Sequence, residues 1–310
     1  MIRQYDHEVQ GRSVIKPLAG PGAGPSDAAV LRPRLNSPRG IALGCGLCPH
    51  RSDDDPYWMA VAAVDEALRN VICVGGDPDH TAMLDNFCWP RCDSEAMMGA
   101  LVRACRGAAD AAVAYGLPFI SGKDSLNNEF SMDPEEAARL GLPQRMAIPP
   151  TLLVSAISVI DDVSRCVSMD LKAADNLIVL ASAPVDMLGL KTARGVHSKV
   201  ADLVRSGRVL AAHDVSDGGI AVALAEMCIA GGMGVDATLH GVGGLDAFDD
   251  APTSYLLEVP QRVAIQSRWV IVGRVTAEPV VRLTTPHGDA SWDIGELASA
   301  WRSPLARGGA

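Results

Sequence analysis

Two polar segments of the sequence carry residue types from which a phosphate-binding site could be built. The first is residues 121–125, Ser-Gly-Lys-Asp-Ser, which follow a predicted strand. Glycine permits close approach of a ligand to the backbone, lysine supplies a compact positive charge, and hydroxyl and carboxylate groups can contact phosphate or a metal ion. The spacing does not match a Walker A loop, because five residues separate Gly116 from Gly122 and Asp124 replaces the hydroxyl residue. The segment therefore predicts either a phosphate site or a plain polar turn that leaves a strand.

The second segment is residues 213–219, His-Asp-Val-Ser-Asp-Gly-Gly, between a predicted strand and a predicted apolar helix. Proteins of the α/β class commonly bind ligands at the carboxyl ends of strands, and the glycine amides at the helix N-terminus would point outward. A structural alternative is that Asp214 or Ser216 caps the helix while His213 is a buried residue with satisfied hydrogen bonds. The residues alone leave both interpretations open.

Three smaller groups are weaker candidates. Asp85 ends a predicted strand, where a carboxylate can hold a nucleotide or its metal ion but more commonly forms a turn. Cys45 and Cys48 have the Cys-x-x-Cys spacing of zinc and redox sites, yet the sequence offers no second pair at matching spacing. The acidic run at 53–55 is interpreted as a cap that complements the helix dipole.

The composition restricts the classes of protein that these segments could serve. Of the 310 residues, 48% are apolar and 4% aromatic, so the chain can bury a sizeable aliphatic core and is not disordered. A formal charge of −10 argues against nucleic-acid binding through bulk charge. The sequence contains no uninterrupted stretch of about 18 apolar residues, which is the length needed to span a membrane. No secretory signal opens the chain, so a cytoplasmic location is expected.

Most of the eight cysteines are expected to be reduced core residues, with Cys73, Cys105, Cys166 and Cys228 as examples.

Alternating strands and helices must position these candidates. The pattern predicts an α/β protein with mixed sheets that helices cover on one face. An extended lead-in or linker is expected at 1–40, a first domain at 41–165 and a second domain at 166–305. One helix should begin at Pro56 after an Asp55 cap, and another near Ser94 should end at Gly116. Further helices are predicted at 197–206 and 220–230, and strands at 80–87, 117–121, 151–160, 177–180, 208–212, 255–259 and 269–275.

Six segments spread over the chain form one pattern: residues 2–10 (IRQYDHEVQ), 24–30 (GPSDAAV), 55–60 (DPYWMA), 65–70 (DEALRN), 121–128 (SGKDSLNN) and 213–227. This pattern resembles phosphoribosylformylglycinamidine synthase, an amidotransferring ligase of purine biosynthesis, in its second half. The resemblance implies an AIR synthase-like N-terminal domain followed by an AIR synthase-like C-terminal domain. It also implies that two such pairs pack as a pseudo-dimer with ligand sites along their interface. The implied reaction uses ATP to activate the formyl amide oxygen of formylglycinamide ribonucleotide as an iminophosphate, which ammonia from glutamine displaces.

The resemblance assigns ligand contacts position by position. Asp85 and Gly122 match ATP contacts of the family's second half, and Ser125 matches a substrate contact. Lys123 stands where small family members have a magnesium-binding Asn, and its ammonium group could reach a phosphate directly. ATP or ADP and Mg²⁺ are the implied cofactors, and no metal ligand is assigned. The residues expected to border the interface are Asp124, His213, Asp214 and Asp217.

The same resemblance sets limits and implies partners. The family's catalytic histidine lies in the first half, so no catalytic residue is assigned to this chain. Asn70 stands where the first half has a magnesium-binding Asp, and Asp250 and Ser254 stand where Glu and Arg are more usual. The implied partners are the first half in the same or a separate chain, a glutaminase domain or subunit, a small accessory subunit, or a second copy of the chain. No nucleic-acid or membrane partner is expected.

Two alternative functions are compatible with these residues. Asn70, with Lys123 nearby, would suit a noncatalytic half that binds a nucleotide as a structural scaffold. A free-standing AIR synthase-like ATP-dependent enzyme could instead act as a homodimer. That enzyme would need a complete set of acid and metal-binding residues within one chain, which the sequence does not show.

Overall fold

Two mixed sheets form the framework of the protein. The computed structural model describes residues 9–183, 189–240, 246–264, 266 and 269–303, with only the backbone described at Val9, Gly189 and Lys191. The predicted α/β class with mixed sheets is confirmed. Within these ranges no helix is long and apolar enough to cross a membrane.

The first unit runs from residue 9 to residue 165. Its strands are β1 (Ser13–Ile15), β2 (Leu18–Ala19), β3 (Gly24–Pro25), β4 (Ala29–Leu31), β5 (Gly40–Leu47), β6 (Thr81–Cys88), β7 (Phe119–Ser125), β8 (Glu129–Ser131), β9 (Arg145–Ala147) and β10 (Thr151–Ile160). Its helices are α1 (Pro56–Cys73), α2 (Glu95–Tyr115) and α3 (Pro134–Leu140). Short 3-10 helices lie at Val9–Gly11, Pro49–Ser52, Pro78–His80 and Val163–Arg165.

The main sheet of this unit has the order β1-β4-β5-β10-β6-β7. β10 pairs antiparallel with β5 and β6, whereas β6 and β7 are parallel. α1 packs against β5, β10 and α2, so both long helices lie on one face. β8 and β9 form a separate two-stranded sheet, and α3 lies between them in the chain.

Local sequence explains where the two long helices begin and end. The Asp55 side chain caps α1 by accepting a backbone hydrogen bond, and Pro56 occupies the first helical position. Ser94 caps α2 in the same way, and Gly116, at φ 74°, ends it in the left-handed conformation that favours glycine. Both helices begin and end as the sequence predicts.

Residues 9–40 differ from the expected linker, while residues 1–8 lie outside the described part of the chain. β1 and β4 pair with each other and join the main sheet through β5. The hairpin of β2 and β3 reaches the second unit, where β3 contacts the helix at Gly219–Gly231. Strands of two or three residues are too short to show an alternating pattern, so the sequence does not reveal them.

The second unit is built on a seven-stranded sheet in the order β12-β14-β11-β15-β13-β16-β17. Its strands are β11 (Leu177–Ser182), β12 (Ala211–Asp214), β13 (Gly234–Thr238), β14 (Ser254–Val259), β15 (Val270–Thr276), β16 (Val280–Thr285) and β17 (Gly288–Asp293). Its helices are α4 (Gly189–Arg205), α5 (Gly219–Gly231) and α6 (Ile294–Arg302). Neighbouring strands are antiparallel except β13 and β16.

Three predicted elements have other bounds in the structure. The strand predicted at 117–121 is β7, so residues 121–125 lie within a strand and not in a turn after it. The helix predicted at 197–206 begins at Gly189, and the strand predicted at 208–212 runs from Ala211 to Asp214. β7 is an edge strand with mainly exposed polar side chains, and such a strand lacks the apolar pattern that marks a buried one.

The two units share a hydrophobic core. α4 belongs to the second unit in sequence but packs against α1 and α2 of the first. Val196 and Val200 of α4 lie in the same buried cluster as Leu68 and Val71 of α1. A second cluster fills the space around α5. Burial of these apolar surfaces fixes the second unit against the helices of the first.

Candidate functional site

The carboxyl ends of β6 and β7 lie side by side because these two strands are parallel. Open α/β sheets commonly bind ligands beyond such strand ends. The four residues predicted for nucleotide and substrate binding therefore sit on neighbouring strands at one edge of the first sheet. The paired positions are Asp85 with Gly122, Asn86 with Lys123, and Cys88 with Ser125.

Asp85 explains the glycine at position 122. A Cβ at this position would lie 1.7 Å from Asp85 Oδ1 and 2.6 Å from its Cγ, far inside van der Waals contact. An alanine here would therefore displace the carboxylate or the strand pairing. Gly122 is required for the close approach of Asp85.

The predicted residues divide between the two faces of the sheet. Side chains alternate along a strand, and Asp85 has the same parity as Met83 and Phe87, which are buried under the helices. Asp124 has the same parity on β7 as Gly122, whose Cβ would meet Asp85, so both carboxylates lie on the helix side. Lys123 and Ser125 lie on the opposite face, and the Lys123 Nζ donates to Ser125 Oγ.

That opposite face of the sheet is apolar and exposed. Leu43 and Leu47 of β5 are 40% and 44% exposed, and Val159 of β10 is 44% exposed. An exposed apolar face of this kind on a sheet is typical of a surface that binds a partner. Its apolar members are Ile41, Leu43, Leu47, Leu84, Leu153, Ile157 and Val159.

His213 lies at the end of β12 and is buried. Its Nδ1 is 2.9 Å from Asp27 Oδ1 and its Nε2 is 3.0 Å from Glu226 Oε2. Burial acts to lower the pKa of His213, but the charge and hydrogen bond of Asp27 and the hydrogen bond of Glu226 raise it well above the usual value. His213 is therefore an interior residue whose two ring nitrogens join the lead-in to α5.

Asp214 is also buried, beside Arg69 of α1. Its Oδ2 accepts from Arg69 Nη1 at 3.0 Å, and its backbone N–H donates to Asp27 Oδ1 at 2.9 Å. Burial raises the pKa of Asp214, the charge of Arg69 lowers it, and the charges of Asp27 and Glu66 raise it again, to about 7. The Asp214 side chain therefore makes its contacts inside the protein and is not presented at the surface.

In the rest of the 213–219 turn, Val215 and Gly219 are buried, whereas residues 216–218 are half-buried or exposed. Asp217 is 81% exposed, with its Oδ1 at 3.8 Å from His50 Nδ1. α5 begins at Gly219 after Gly218, which adopts φ 87° and provides no side-chain cap, so neither Asp214 nor Ser216 is the N-cap. Of the turn's three charged side chains, only that of Asp217 is presented to an outside ligand.

A buried polar network joins the two units, and the sequence predictions missed it. Asp65 of α1 accepts hydrogen bonds from Arg69 Nε at 2.7 Å and from Thr253 Oγ1 at 2.7 Å, and its Oδ1 lies 3.1 Å from His197 Nε2. Burial acts to raise the pKa of Asp65, but Arg69 and His197 hold it below its usual range. The available signal was an acid and a base four residues apart within an otherwise apolar helix.

A cavity of about 570 Å³ lies where the two units meet. Its walls include Trp58 and Tyr115, and its rim carries Arg51 and Asp250. Arg51 donates from Nε and Nη2 to Asp250 Oδ2, at 2.9 and 2.6 Å. Neither residues 121–125 nor residues 213–219 line this cavity.

Two clusters bring one histidine and two carboxylates within 4.8 Å of one another: Asp27, His213 and Asp214, and His50, Asp217 and Asp250. Mg²⁺ prefers six oxygen ligands in octahedral geometry. In the first cluster both ring nitrogens of His213 already contact carboxylates, and Arg69 holds Asp214. In the second, Arg51 holds Asp250. Since an arginine already holds one carboxylate of each cluster, neither cluster suits a resident magnesium ion.

The eight cysteines are all free. Cys73 and Cys228 are buried as predicted and Cys166 is half-buried, but Cys105 is exposed. Cys45 is exposed, whereas Cys48 is buried and its Sγ donates to Glu66 Oε2 at 3.3 Å. No cysteine of the described ranges belongs to a cluster that could hold a metal ion.

Comparison with known proteins identifies two family models in this chain. Residues 25–136 match the model for the AIR synthase related protein, N-terminal domain, and residues 167–303 match that for the C-terminal domain. One curated relative is the phosphoribosylformylglycinamidine synthase subunit PurL of Deinococcus radiodurans, which is 31% identical over 98% of this chain. The match spans 44% of that relative, so the chain spans less than half the length of the curated relative.

Solved structures show the same fold. The structure titled "T. maritima PurL complexed with ADP" has a TM-score of 0.67 and 19% identity, covering 95% of this chain and 49% of that one. The structure titled "T. maritima PurL complexed with FGAR" also has a TM-score of 0.67, with 18% identity, covering 95% and 50%. In both, the similarity extends over about half of a longer protein.

Proposed function

Because the chain belongs to the family of AIR synthase related proteins, we propose that it forms the second half of a phosphoribosylformylglycinamidine synthase. In this role it contributes to the ATP-dependent amidation of formylglycinamide ribonucleotide in de novo purine biosynthesis. The name and the coverage of the Deinococcus relative support the proposal. The chain is then incomplete alone and works in the cytoplasm, with neither a membrane nor a nucleic-acid partner.

The nucleotide and the substrate are proposed to bind at the carboxyl ends of β6 and β7. Lys123 offers its ammonium group to a phosphate, and Ser125 offers a hydroxyl to the substrate. Asp85 and Gly122 contact the nucleotide from the helix side of the same two strands. Magnesium enters with the nucleotide, since Mg²⁺ is usually held by substrate phosphates with one or two carboxylates.

The reaction requires a leaving group on the formyl amide carbon. ATP, when bound, supplies the phosphoryl group that converts the amide oxygen into a leaving group, and ammonia derived from glutamine displaces it. The contribution of this chain is positioning and charge, because a fixed ammonium at Lys123 stabilises the negative charge of a phosphate during its transfer. The catalytic histidine belongs to the other half.

The exposed apolar face of the first sheet supports the need for a partner. We propose that the first half of the synthase, in the same or a separate chain, covers this face and completes the ligand site. A glutaminase domain or subunit supplies the ammonia, and a small accessory subunit holds the assembly together. The relative's name, which calls it a subunit, agrees with such an assembly.

One observation carries the proposal. The alternation of side chains along β7 places Lys123 and Ser125, two residues apart, on the same face that carries the exposed apolar residues. A phosphate held there would lie at the border of the partner surface. A ligand bound there would contact both this chain and the partner that covers the apolar face.

Turnover assays test the proposal directly. The chain alone, given ATP, magnesium, formylglycinamide ribonucleotide and ammonium chloride, should release no phosphate above background. Adding the first half of a family member should restore turnover, and a Lys123→Ala variant should restore much less. Turnover by the chain alone at the rate of the mixture would refute the half-site proposal, and would favour a free-standing homodimeric enzyme.

A noncatalytic nucleotide-binding scaffold is the second candidate. It is favoured by Asn70, whose Nδ2 donates to the Cys45 carbonyl oxygen at 2.8 Å and whose side chain is largely buried under β5. An amide engaged in this way leaves that position without a carboxylate for magnesium. If ADP raises the melting temperature while the reconstituted enzyme keeps full activity in Lys123→Ala, the scaffold role is the correct one.

A further inference from the structure

The chain segments that leave β6 and β7 are bonded to each other. The Trp89 N–H donates to the Ser125 carbonyl oxygen at 2.8 Å, and the Asn128 N–H donates to the Trp89 carbonyl oxygen at 2.9 Å. Arg91 then donates from Nε to Asn127 Oδ1 at 2.8 Å. These bonds bring Arg91 to the strand ends at which we place the ligand.

Two arginines share the carboxylate of Glu129. The backbone N–H of Arg91 donates to Glu129 Oε1 at 3.2 Å, and Arg145 of β9 donates from Nε to Glu129 Oε2. Desolvation acts to raise the pKa of Glu129, but the hydrogen bonds from Arg91 and Arg145 leave it lower than usual. The Glu129 side chain is 10% exposed, whereas those of Arg91 and Arg145 are 52% and 48% exposed. The cluster therefore turns its carboxylate inward and its guanidinium groups toward solvent.

The charges of this cluster do not balance. Two guanidinium groups face the single carboxylate of Glu129, so the cluster of these three side chains carries a net positive charge. Among the residues that the structure describes, no acceptor lies within hydrogen-bond distance of the Nη groups of Arg91. Guanidinium donors form a planar fork that matches the oxygens of a phosphate. The donors of Arg91 are available to an anion.

We propose that Arg91 and Arg145 bind a phosphate group at the carboxyl ends of β6 and β7, and that Glu129 occupies some of their donors until the anion replaces it. This inference rests on the proposed function, which supplies a phosphorylated ligand, and it adds two cationic residues to the site. The phosphate comes from the polyphosphate chain of a nucleotide or from the 5′-phosphate of a ribonucleotide. Both sources offer the same oxygen acceptors.

Calorimetric titration of the full chain with magnesium ADP, tripolyphosphate and ribose 5-phosphate tests the inference. Arg91→Ala and Arg145→Ala should each weaken binding of the phosphate probe about 5- to 10-fold, because each removes charge-assisted hydrogen bonds that solvent partly screens. Arg91→Lys keeps the charge but loses the fork, so about 2-fold weaker binding is expected. Arg139→Ala is the matched control, since Arg139 lies on α3 and pairs with Glu136 at 3.4 Å, and it should bind like the wild type.

Glu129→Gln separates anion binding from structural support. If the arginines bind the anion, losing the competing carboxylate should tighten binding about 2-fold. If they only support the hairpin, then Arg91→Ala, Arg145→Ala and Glu129→Gln should all lower the melting temperature and leave the affinities unchanged, which overturns the inference. Weaker or unchanged binding by Glu129→Gln also contradicts it.

The three probes identify the source of the phosphate. A response limited to magnesium ADP and tripolyphosphate supports the inference with a nucleotide as ligand, and a response limited to ribose 5-phosphate supports it with a ribonucleotide. If the wild type binds magnesium ADP and the arginine variants bind it equally well, only the inference fails. If the wild type binds none of the three probes, the inference and the proposed nucleotide site fail together.

Discussion

Replacing Arg69 with methionine should destabilise the protein by about 3–5 kcal/mol. The Arg69 side chain is 3% exposed, and it donates to Asp65 Oδ2 at 2.7 Å, to Asp214 Oδ2 at 3.0 Å and to the Val215 carbonyl oxygen at 2.7 Å. Methionine retains much of the apolar volume but leaves two buried carboxylates without their shared cation. Uncompensated buried charge, not lost packing, is therefore the expected source of the destabilisation.

The pH dependence of this destabilisation identifies its cause. Without Arg69, the buried Asp214 carboxylate should take up a proton more readily, and protonation removes the uncompensated charge. The difference in free energy of unfolding between wild type and Arg69→Met should therefore be larger at about pH 8 than at about pH 5.5. Urea-induced unfolding followed by far-ultraviolet circular dichroism at both pH values measures it.

A matched control is Arg39→Met. Arg39 pairs with Asp161 at 3.2 Å, and both side chains are more than 70% exposed, so solvent screens the pair and the cost should be below about 1 kcal/mol. A loss in Arg69→Met no greater than that of the control would refute the reasoning. It would show that the Asp65 and Asp214 carboxylates are not held by this cation.

The remaining predictions concern the strand ends, the buried carboxylate and the apolar face. Gly122→Ala should lower the melting temperature because its Cβ would overlap Asp85 Oδ1, and the double variant with Asp85→Ala should recover most of the loss; no recovery would contradict the steric cause. In the wild type, the free energy of unfolding should fall as pH rises from about 4 to about 7, because native Asp214, with its pKa raised to about 7, keeps a proton that the unfolded chain releases. Asp214→Asn should flatten that slope in urea titrations, and an unchanged slope would assign it to another group. Leu43→Glu should abolish co-sedimentation with a first half of the family while leaving the melting temperature within a few degrees, since the side chain is already 40% exposed; pairing unaffected by the charge would place the partner elsewhere.

Much of the fold follows from local sequence, and the reasons are visible in particular elements. α1 and α2 have long apolar stripes with good caps at Asp55 and Ser94, so pattern and capping agree. β10 has the bounds that the sequence predicts, because its long apolar run extends from Thr151 to Ile160. β1 to β4 are too short to carry any period, and β7 is an edge strand whose polar exposed side chains resemble a turn.

The site is predictable only in part, because strand register and distant contacts decide it. The sequence places Asp85 near Gly122 through the resemblance, but it does not show that Lys123 and Ser125 face the other side, since a register shift of one residue moves every side chain of a strand to the opposite face. The network at Asp65 joins positions 132 and 188 residues apart in the chain. Contacts over such separations leave no local pattern.

The most direct test of the account is a crystal structure of the chain grown with magnesium ADP and formylglycinamide ribonucleotide. We predict a phosphate group at the carboxyl ends of β6 and β7, with its oxygens within hydrogen-bond distance of Lys123 Nζ. Ligand density confined to the cavity between Trp58 and Asp250, with only solvent beside Lys123, would contradict the account.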